Sequence, residues 1–245
     1  MGRDALVEAV VQDGECGEES RQSPRTEITT LWDFPYQSYG QTRKGDNRFP
    51  GVTPATVVRN LIRRYTEPGD LVVDCMAGSG TTIDVAREEN RRVIGYDLAA
   101  IRSDVVQNDA RDLPLEDECV DLHFVDSPYS DNIHYSNHPD CIGKIPCEDD
   151  RFFEELEKVA KEIHRTLKLG GVLGWLIADQ FRRRKFTPVG FRLYEILDCY
   201  LEPVDIIAVR IHNQRTNNEL WQRRAVKYNF FLRGFKYLFI MRRVK

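Results

Sequence analysis

Two short segments of the chain place acids, glycines and an aromatic ring directly after apolar, strand-like runs. One is VVDCMAGSGTT, residues 72–82, in which the run leads to an acid and a Gly-x-Gly turn. The other is HFVDSPYS, residues 123–130, whose run breaks at Asp126, Ser127, Pro128 and Tyr129. In open α/β sheets, ligands bind where the strands end and where helix starts offer free N–H groups. The two segments therefore indicate a ligand-binding and reactive site.

The first segment predicts a nucleotide-type pocket that does not hold a diphosphate. Gly78 and Gly80 let the backbone bend sharply and approach a ligand, and the helix that starts near Thr81 offers free N–H groups. The dinucleotide fingerprint needs a third glycine where Ile83 stands, and a phosphate loop needs a lysine that the segment lacks. Phosphate groups are therefore disfavoured as ligands.

Carboxylates at the ends of successive strands suggest what the pocket holds instead. Asp74 would repel a phosphate but suits an ammonium group, and Asp97 can accept hydrogen bonds from both hydroxyls of a ribose. Asp109 could accept a hydrogen bond from the exocyclic amine of adenine, with a turn or a helix cap as its alternative role. An amine, a ribose and no phosphate describe S-adenosylmethionine. The expected cofactor-binding residues are Asp74, Ala77, Gly78, Gly80, Thr81, Thr82, Asp97, Asp109 and Ala110.

The elements that must position these residues alternate between apolar strands and amphipathic helices. A helix over 53–66 is predicted, with Thr53 as its N-cap and Pro54 at the first helical position. Continuous apolar strands separated by helices predict a parallel sheet covered on both faces. The strand-like segments are 70–75, 92–97, one that ends near 109, 119–126, 172–179, 204–211 and 235–243.

Composition places the chain among ordinary globular proteins. It has 245 residues, of which 41% are hydrophobic and 30% are charged, so a sizeable core is expected. No apolar run approaches the ~20 residues of a membrane span, and the N-terminus lacks the basic and apolar regions of a signal peptide. We therefore expect no membrane partner and a cytoplasmic location. Residues 1–27 are polar and acidic and are expected to form a flexible lead to a single domain over 28–245.

Six cysteines are scattered through the chain, which is typical of a reducing compartment. Four residues lie close enough in sequence to raise a zinc site as an alternative: His134, His138, Cys141 and Cys147. Their spacing contains no Cys-x-x-Cys core, so a plain loop is the preferred interpretation and no metal is predicted.

The C-terminal part of the chain is basic although the whole chain is acidic. From Arg182 to Lys245 there are 15 Lys and Arg against 5 Asp and Glu, while the formal net charge of the chain is −4. A polyanion could therefore be held by this part, with solvated charged faces as the alternative. Four adjacent cations repel one another unless an anion compensates them, so we expect a nucleic acid to be bound by Arg182, Arg183, Arg184 and Lys185.

The motifs DCMAGSGTT, GYD, NDARDL and VDSPY, in this order, resemble the family of amino-methyltransferases that modify adenine N6 or cytosine N4 in DNA. The resemblance covers nearly the whole chain from about residue 30 and includes the upstream LWDFPYQSYG and the downstream NFFLRGFKYLFIMRR. It implies a Rossmann-like class I methyltransferase fold. That fold is a seven-stranded, mostly parallel sheet with helices on both faces and an antiparallel C-terminal strand.

The resemblance also assigns roles to the second segment. An exocyclic aromatic amine is a weak nucleophile, and hydrogen-bond acceptors aimed at its N–H bonds favour a more nucleophilic form. Asp126 would be one acceptor and the backbone carbonyl of Ser127 the other. Pro128 would keep the turn rigid, and Tyr129 would stack on a base swung out of its helix. Ser127 stands where the family has its first proline, which would leave the turn less rigid.

Three functions follow as hypotheses. The first is methylation of adenine or cytosine in DNA, with a homodimer or a restriction partner and a place in a bacterial or archaeal nucleoid. The second is methylation of guanine N2 in RNA, since related tRNA enzymes use a similar motif. The third is a non-catalytic, nucleic-acid-binding subunit. The chain has no insertion large enough for a separate target-recognition domain, so any sequence reading would use loops near 130–150, 178–188 and 211–230.

Overall fold

The computed structural model describes residues 26–46, 52–212 and 216–245. Its strands are β1 (Leu31–Trp32), β2 (Leu71–Asp74), β3 (Arg92–Asp97), β4 (Val105–Gln107), β5 (Val120–Asp126), β6 (Leu167–Ile177), β7 (Gln180–Arg182), β8 (Lys185–Thr187), β9 (Glu202–Arg210) and β10 (Phe235–Arg242). Its α-helices are α1 (Ala55–Tyr65), α2 (Thr81–Glu88), α3 (Asp150–Thr166), α4 (Val189–Asp198) and α5 (Glu219–Lys227), with one 3₁₀ turn at Ile142–Lys144.

The main sheet of the described residues has the strand order β1-β9-β10-β6-β5-β2-β3-β4. Strand β10 runs antiparallel to both of its neighbours, β6 and β9, and the other pairs are parallel. The mostly parallel sheet and the antiparallel C-terminal strand are therefore confirmed. The seven predicted strands are present, and β1 adds an eighth at the edge; two residues are too few to show a periodicity.

Helices cover both faces of the sheet, as the alternation of apolar side chains requires. On one face, Val72 of β2 and Leu122 of β5 pack with Val58 and Leu61 of α1. On the other, Val73 of β2 packs in a cluster that contains residues of α3 and α4. Successive residues of a strand point to opposite faces, so each buried strand contributes to both clusters.

The order of the strands places the pocket. Strands β3 and β4 are added on one side of β2 and strands β5 and β6 on its other side, and such a switch in strand order opens a crevice at the carboxyl ends of the strands. The end of β2 leads into the glycine loop and the end of β5 carries Asp126. Both sequence segments therefore meet at one edge of the sheet.

The prediction for the start of α1 was wrong in its details. The N-cap is Pro54, which makes no side-chain capping bond, and the helix begins at Ala55. Thr53 caps nothing, because its hydroxyl donates to the carboxylate of Asp126 instead. Thr53 lies two residues before the helix and lines the cavity.

Two expectations concern the ends and the surroundings of the chain. The predicted flexible lead, residues 1–27, lies outside the described residues except for its last two positions. Within the ranges that the structure describes, no helix combines the length and the hydrophobicity that a bilayer span requires.

Candidate active site

A cavity of about 1010 Å³, including its opening to solvent, lies at the carboxyl ends of β2, β3 and β5. Most of the residues predicted for the site line it. They are Asp74, Ala77, Gly78, Thr81, Thr82, Asp97, Asp109, Ala110, Asp126, Pro128 and Tyr129. Gly80 and Ser127 do not line the cavity, and the basic segment 182–185 does not line it either.

The charge of the cavity wall is strongly unbalanced. Five of its residues are carboxylates: Asp74, Asp97, Asp109, Asp126 and Asp140. Among the described residues that line it, Lys236 is the one cation. A wall of this composition favours a ligand that carries positive charge and disfavours a polyphosphate.

Asp74 is a buried carboxylate at the base of the cavity. Its oxygens accept hydrogen bonds from the hydroxyl of Thr82 at 2.5 Å and from the backbone N–H of Met76 at 3.0 Å. Burial raises the pKa of Asp74 to about 7, which these hydrogen bonds only partly oppose. The carboxyl is therefore half-protonated near neutral pH and gains from a cationic partner.

Asp97, at the end of β3, ties the glycine loop to the sheet. Its two oxygens accept from the backbone N–H groups of Gly78 and Ala99, each at 2.9 Å. Gly78 has a positive φ of 43°, a conformation that side chains other than glycine adopt rarely. The carboxylate predicted to bind a ribose thus also fixes the loop that faces it.

In a dinucleotide fingerprint the third glycine leaves room for close packing of the helix on the strand. Here Gly95 of the neighbouring strand β3 leaves that room. A Cβ at Gly95 of β3 would lie 2.5 Å from the side chain of Ile83 and 3.0 Å from Ala77. The isoleucine of α2 therefore fits because residue 95 has no side chain. Here the small residue that lets helix and strand pack closely is on the strand, whereas in the fingerprint it is on the helix.

Gly80 shapes the loop from behind. It is the N-cap of α2 with φ 79°, and a Cβ there would lie 2.5 Å from the guanidinium of Arg102. That guanidinium also donates to the carbonyls of Ser79 and Gly80 and pairs with Asp84. Gly80 is thus required by the turn and by Arg102 packing rather than by contact with the cavity.

Asp109 lines the cavity, but a neighbouring arginine already engages its carboxylate. Arg111 donates to it through Nε at 2.9 Å and through Nη2 at 2.5 Å. Burial alone would raise the pKa of Asp109, but the bonds from Arg111 outweigh burial and hold the pKa below its usual range. Asp109 stays ionised, and its remaining lone pairs are what it can offer a ligand.

Asp126 is held by two donors that come from distant parts of the chain. Lys236 of β10 places Nζ 3.0 and 3.1 Å from its two oxygens, and Thr53 donates through its hydroxyl. Burial would lower the pKa of Lys236, but the adjacent carboxylate keeps it above its usual range. A charged pair thus stands in a wall where each side chain is less than one fifth exposed.

Ser127 is anchored, although it stands where the related motif has proline. Its side chain is buried, and its hydroxyl accepts a hydrogen bond of 2.9 Å from the indole N–H of Trp175 in β6. The expected loss of rigidity is therefore offset by a fixed side-chain contact. Serine supplies an acceptor that a proline at this position lacks.

Removing this acceptor is expected to destabilise the fold. Ser127→Ala leaves the buried indole N–H unpaired and should lower the free energy of unfolding by about 1–3 kcal/mol. Combining it with Trp175→Phe removes both partners, so the double variant should lose less than the sum of the two single changes. Urea unfolding of the four proteins measures this, and additive losses would contradict the assigned hydrogen bond.

Aromatic side chains close the cavity beside Asp126. Tyr129 lines it, with the Lys236 ammonium 5.7 Å from its ring centre. Tyr135, from the segment after the motif, also lines it, and burial raises the pKa of its phenol well above the usual range. Tyr135 packs near Pro128 around Gly143, where a Cβ would come within 2.7 Å of the Tyr135 ring. The long loop predicted to be functional thus contributes to the wall.

The predicted basic segment forms the hairpin β7–β8. Arg182 pairs with Asp131, whereas Arg183, Arg184 and Lys185 are exposed. Arg183 and Arg184 occupy the two turn positions with φ of 51° and 63°, a left-handed conformation that costs non-glycine residues energy. A two-residue hairpin turn requires this conformation at both positions, and Asn-Gly adopts it at a lower energetic cost.

The hairpin is attached to the segment that leads into β10. Phe181 stacks on Phe230 with ring centres 5.5 Å apart, and Arg233 lies over the ring of Phe186. Helix α5 lies within the segment near 211–230 that was predicted to take part in sequence reading, and none of the helix residues is buried. Residues 213–215 of that stretch lie outside the described residues.

The His and Cys residues of the loop do not gather around a point. Cys147 is buried and its backbone N–H donates to Ser130, while His138 lies beside Asp140. Within the described ranges, no three His, Cys, Asp or Glu side chains are grouped so as to hold a metal ion.

Sequence reasoning missed Thr53, Tyr135, Trp175 and Lys236 as site residues. Thr53 was interpreted as a helix cap, which is the common role of a threonine before a helix. Lys236 could have been predicted as a paired, buried residue, because a lysine within the apolar run FKYLFIM of a central strand is rare without a partner.

Comparison with known proteins shows what part of the chain is similar to. A family model described as DNA methylase matches residues 9–107, which include the glycine loop and Asp97. The type II methyltransferase M1.MboII of Moraxella bovis is 36% identical over 73 residues, 29% of this chain and 28% of that protein. The "Probable type III restriction-modification enzyme HindVI Mod subunit" of Haemophilus influenzae is 35% identical over 71 residues, 29% of this chain and 10% of that protein. The matches thus span less than a third of these relatives.

A solved structure extends the likeness to most of the chain. The geranyl diphosphate C-methyltransferase of Streptomyces coelicolor A3(2) aligns over 78% of both chains with a TM-score of 0.50 and 16% identity. At this identity the likeness concerns the fold, which is the Rossmann-like fold of class I methyltransferases. Residues of the glycine loop and of the acid-Ser-Pro-Tyr motif line one cavity, and the sequence matches show that part of the chain is similar to DNA methyltransferases.

Proposed function

We propose that the chain transfers a methyl group from S-adenosylmethionine to the exocyclic amine of adenine (N6) or cytosine (N4) in DNA. One observation carries the proposal. The carboxylates of the glycine-loop side, Asp74 and Asp97, and the motif residues Asp126 and Tyr129 line a single cavity. The proposed site for the methyl donor and the proposed site for the amine would thus be adjacent.

The cavity suits this cofactor in charge and in chemistry. Asp74 would pair with the ammonium group, Asp97 would accept from the ribose hydroxyls, and Asp109 and Ala110 would lie along the adenine. Met76, Leu98 and Ile142 add apolar surface to the same wall. When bound, the cofactor supplies an electrophilic methyl group on a positively charged sulfur, which the surplus of carboxylates favours.

The residues of the motif would prepare the amine for attack. Asp126 would accept a hydrogen bond from the amine, and the Ser127 carbonyl would accept the second, so that the nitrogen lone pair is directed toward the methyl group. Tyr129 would stack on the extruded base and offset part of the cost of extrusion. Each group would then hold the nitrogen in line with the bond that breaks, which accounts for much of the rate increase.

DNA would be held at the same edge of the sheet by the exposed cations of the hairpin. Specificity would depend on loops near 130–150, 178–188 and 211–230, because we propose that residues 28–245 act as one domain without a separate target-recognition domain. The homodimer and the restriction partner stay predictions.

Replacing Arg183 by Asn and Arg184 by Gly should separate DNA binding from stability. Asn-Gly is preferred at both turn positions, so the variant should be more stable by roughly 1 kcal/mol or more. It should also bind DNA more weakly, with the slope of log K against log salt reduced by about 2. Fluorescence anisotropy at several salt concentrations measures this.

The matched control changes two exposed arginines at the opposite edge of the sheet, Arg64→Gln and Arg92→Gln. It removes the same charge, and its salt slope should stay close to that of the unchanged protein. Equal slopes for both variants would contradict the placement of DNA at the hairpin.

Transfer of a labelled methyl group tests the function. The full chain is incubated with methyl-labelled S-adenosylmethionine and duplex DNA, single-stranded DNA or tRNA, and the nucleosides are then separated. Label on N6-methyladenine or N4-methylcytosine is expected. Label on N2-methylguanine from tRNA would favour the RNA function instead, and cofactor binding without any transfer would favour a non-catalytic subunit.

A further inference from the structure

Lys236 introduces a donor into a wall that otherwise offers acceptors and apolar groups. Its ammonium lies 3.0 and 3.1 Å from the oxygens of Asp126 and 5.7 Å from the centre of the Tyr129 ring. An ammonium has three N–H donors, and two acceptor oxygens engage at most two of them. At least one N–H therefore remains for another acceptor, in a residue that lines the cavity.

Asp126 and Lys236 together present an acceptor beside a donor. The edge of adenine that carries the N6 amine has the acceptor N1 next to it, and the edge of cytosine that carries the N4 amine has the acceptor N3 next to it. Guanine differs, because its N2 amine stands beside an N1–H group, which is a second donor. The pair of side chains is thus complementary to adenine and cytosine and not to this edge of guanine.

The position of Tyr129 fits this arrangement. An extruded base is commonly read by hydrogen bonds to its pairing edge while its face stacks on an aromatic ring. A base stacked on Tyr129 would have its edge near both charged groups, since the ammonium lies near the same ring and next to the carboxylate. Lys236 also has only 16% of its side chain exposed, so water competes weakly for the remaining donor.

We propose that Lys236 is a specificity-determining residue that donates from Nζ to the ring nitrogen next to the reacting amine, N1 of adenine or N3 of cytosine. This deepens the proposed function and rests on it. The bond fixes the base beside Asp126, and it rejects guanine presented by its pairing edge because two donors would then face each other. A donor facing a donor leaves both buried groups unsatisfied, which discriminates more strongly than a lost contact between apolar groups.

Substrate analogues test the proposal on the unaltered protein, so that no variant needs to fold. If adenine is the base that the protein methylates, an oligonucleotide with 1-deazaadenine at the target lacks the acceptor and keeps the amine. We expect kcat/KM to fall by about tenfold to a hundredfold. The matched control, 7-deazaadenine, changes the other side of the amine and should be methylated at close to the normal rate. For cytosine, the corresponding pair is 3-deazacytosine and 5-methylcytosine.

Two variants of Lys236, tested on the natural base and on the analogue, extend the experiment. Lys236→Met should methylate the natural base slowly and should no longer distinguish it from the 1-deaza or 3-deaza analogue, whereas Lys236→Arg should keep the distinction. Equal kcat/KM of the unaltered protein on the natural base and on the analogue would overturn the inference, as would a Lys236→Met protein that still discriminates. Failure of the proposed function is recognised separately, because the unaltered protein would then label neither natural base.

Discussion

Asp126→Asn should lower kcat for methyl transfer by about a hundredfold to a thousandfold while cofactor affinity stays close to normal. The amide keeps the size of the side chain but loses one acceptor oxygen and the negative charge. In the unchanged protein the ammonium of Lys236 lies 3.0 Å from a carboxylate oxygen of Asp126. In the variant this ammonium loses its ionic partner in the buried cavity wall. The reacting amine would lose a negatively charged acceptor and would meet an uncompensated cation.

Single-turnover kinetics with saturating cofactor measure this effect, and calorimetry of cofactor binding provides the separate readout. Asp131→Asn is the matched control, since Asp131 pairs with Arg182 and is not part of the cavity wall. The double variant Asp126→Asn/Lys236→Met removes both charges and should recover folding stability without recovering activity. Normal turnover by Asp126→Asn would show that the negative charge of Asp126 is not required for transfer.

Asp74→Asn is expected to weaken S-adenosylmethionine binding by about tenfold to a hundredfold at pH 7.5, because the ammonium group loses its ionic partner. In the unchanged protein the affinity should fall as the pH is lowered. Asp74 has a pKa of about 7, so at pH 6 most molecules must release a proton before the ion pair forms. The loss approaches tenfold for each pH unit below 7, and the variant should lack it. Calorimetric titrations at pH 6.0, 6.8 and 7.5 would compare the two proteins.

The carboxyl of Asp74 should also make the stability of the cofactor-free protein depend on pH. Its pKa is higher in the folded state than the 3.8 of an exposed aspartate, so the folded protein keeps a proton that the unfolded chain releases. As the pH rises between these two pKa values, the contribution of Asp74 to the free energy of unfolding therefore decreases by roughly 1.4 kcal/mol per pH unit. Asp74→Asn should consequently gain stability relative to the unchanged protein as pH rises from 5 to 8. A constant difference between the two over this range would show that Asp74 is not the responsible group.

Much of the fold follows from local patterns, because strands buried on both faces leave continuous apolar runs such as DLVVDC and helices leave apolar residues at regular spacing. The glycine loop and Asp126 could be placed in one pocket because the ends of parallel strands meet at one edge of a sheet. Contacts between distant segments could not be found this way. Thr53 and Lys236 reach Asp126 from 73 positions before it and 110 positions after it, and no local pattern records such pairings.

Ser127 illustrates a different limit. A single substitution within a motif shows what is lost, here the ring of a proline, but not what is gained. The gain depends on Trp175, which lies 48 positions later and carries an N–H that needs an acceptor. In the sequence a tryptophan in the strand VLGWLI indicates only a core residue. The partner becomes visible once the pairing of Val125 with Trp175 in neighbouring strands is known.

The position of β10 between β6 and β9 has a consequence for the order in which the molecule assembles. Its residues come last among the strands, yet they fill an internal place in the sheet. A chain emerging from the ribosome would bury the first strands while Asp126 still lacks its ammonium partner. Insertion of the last strand then completes the hydrogen-bonded ladder and neutralises the reactive carboxylate in one step. Pairing between segments so far apart in sequence is slow, so acquisition of activity during refolding should coincide with the slowest phase and not with the first formation of helices.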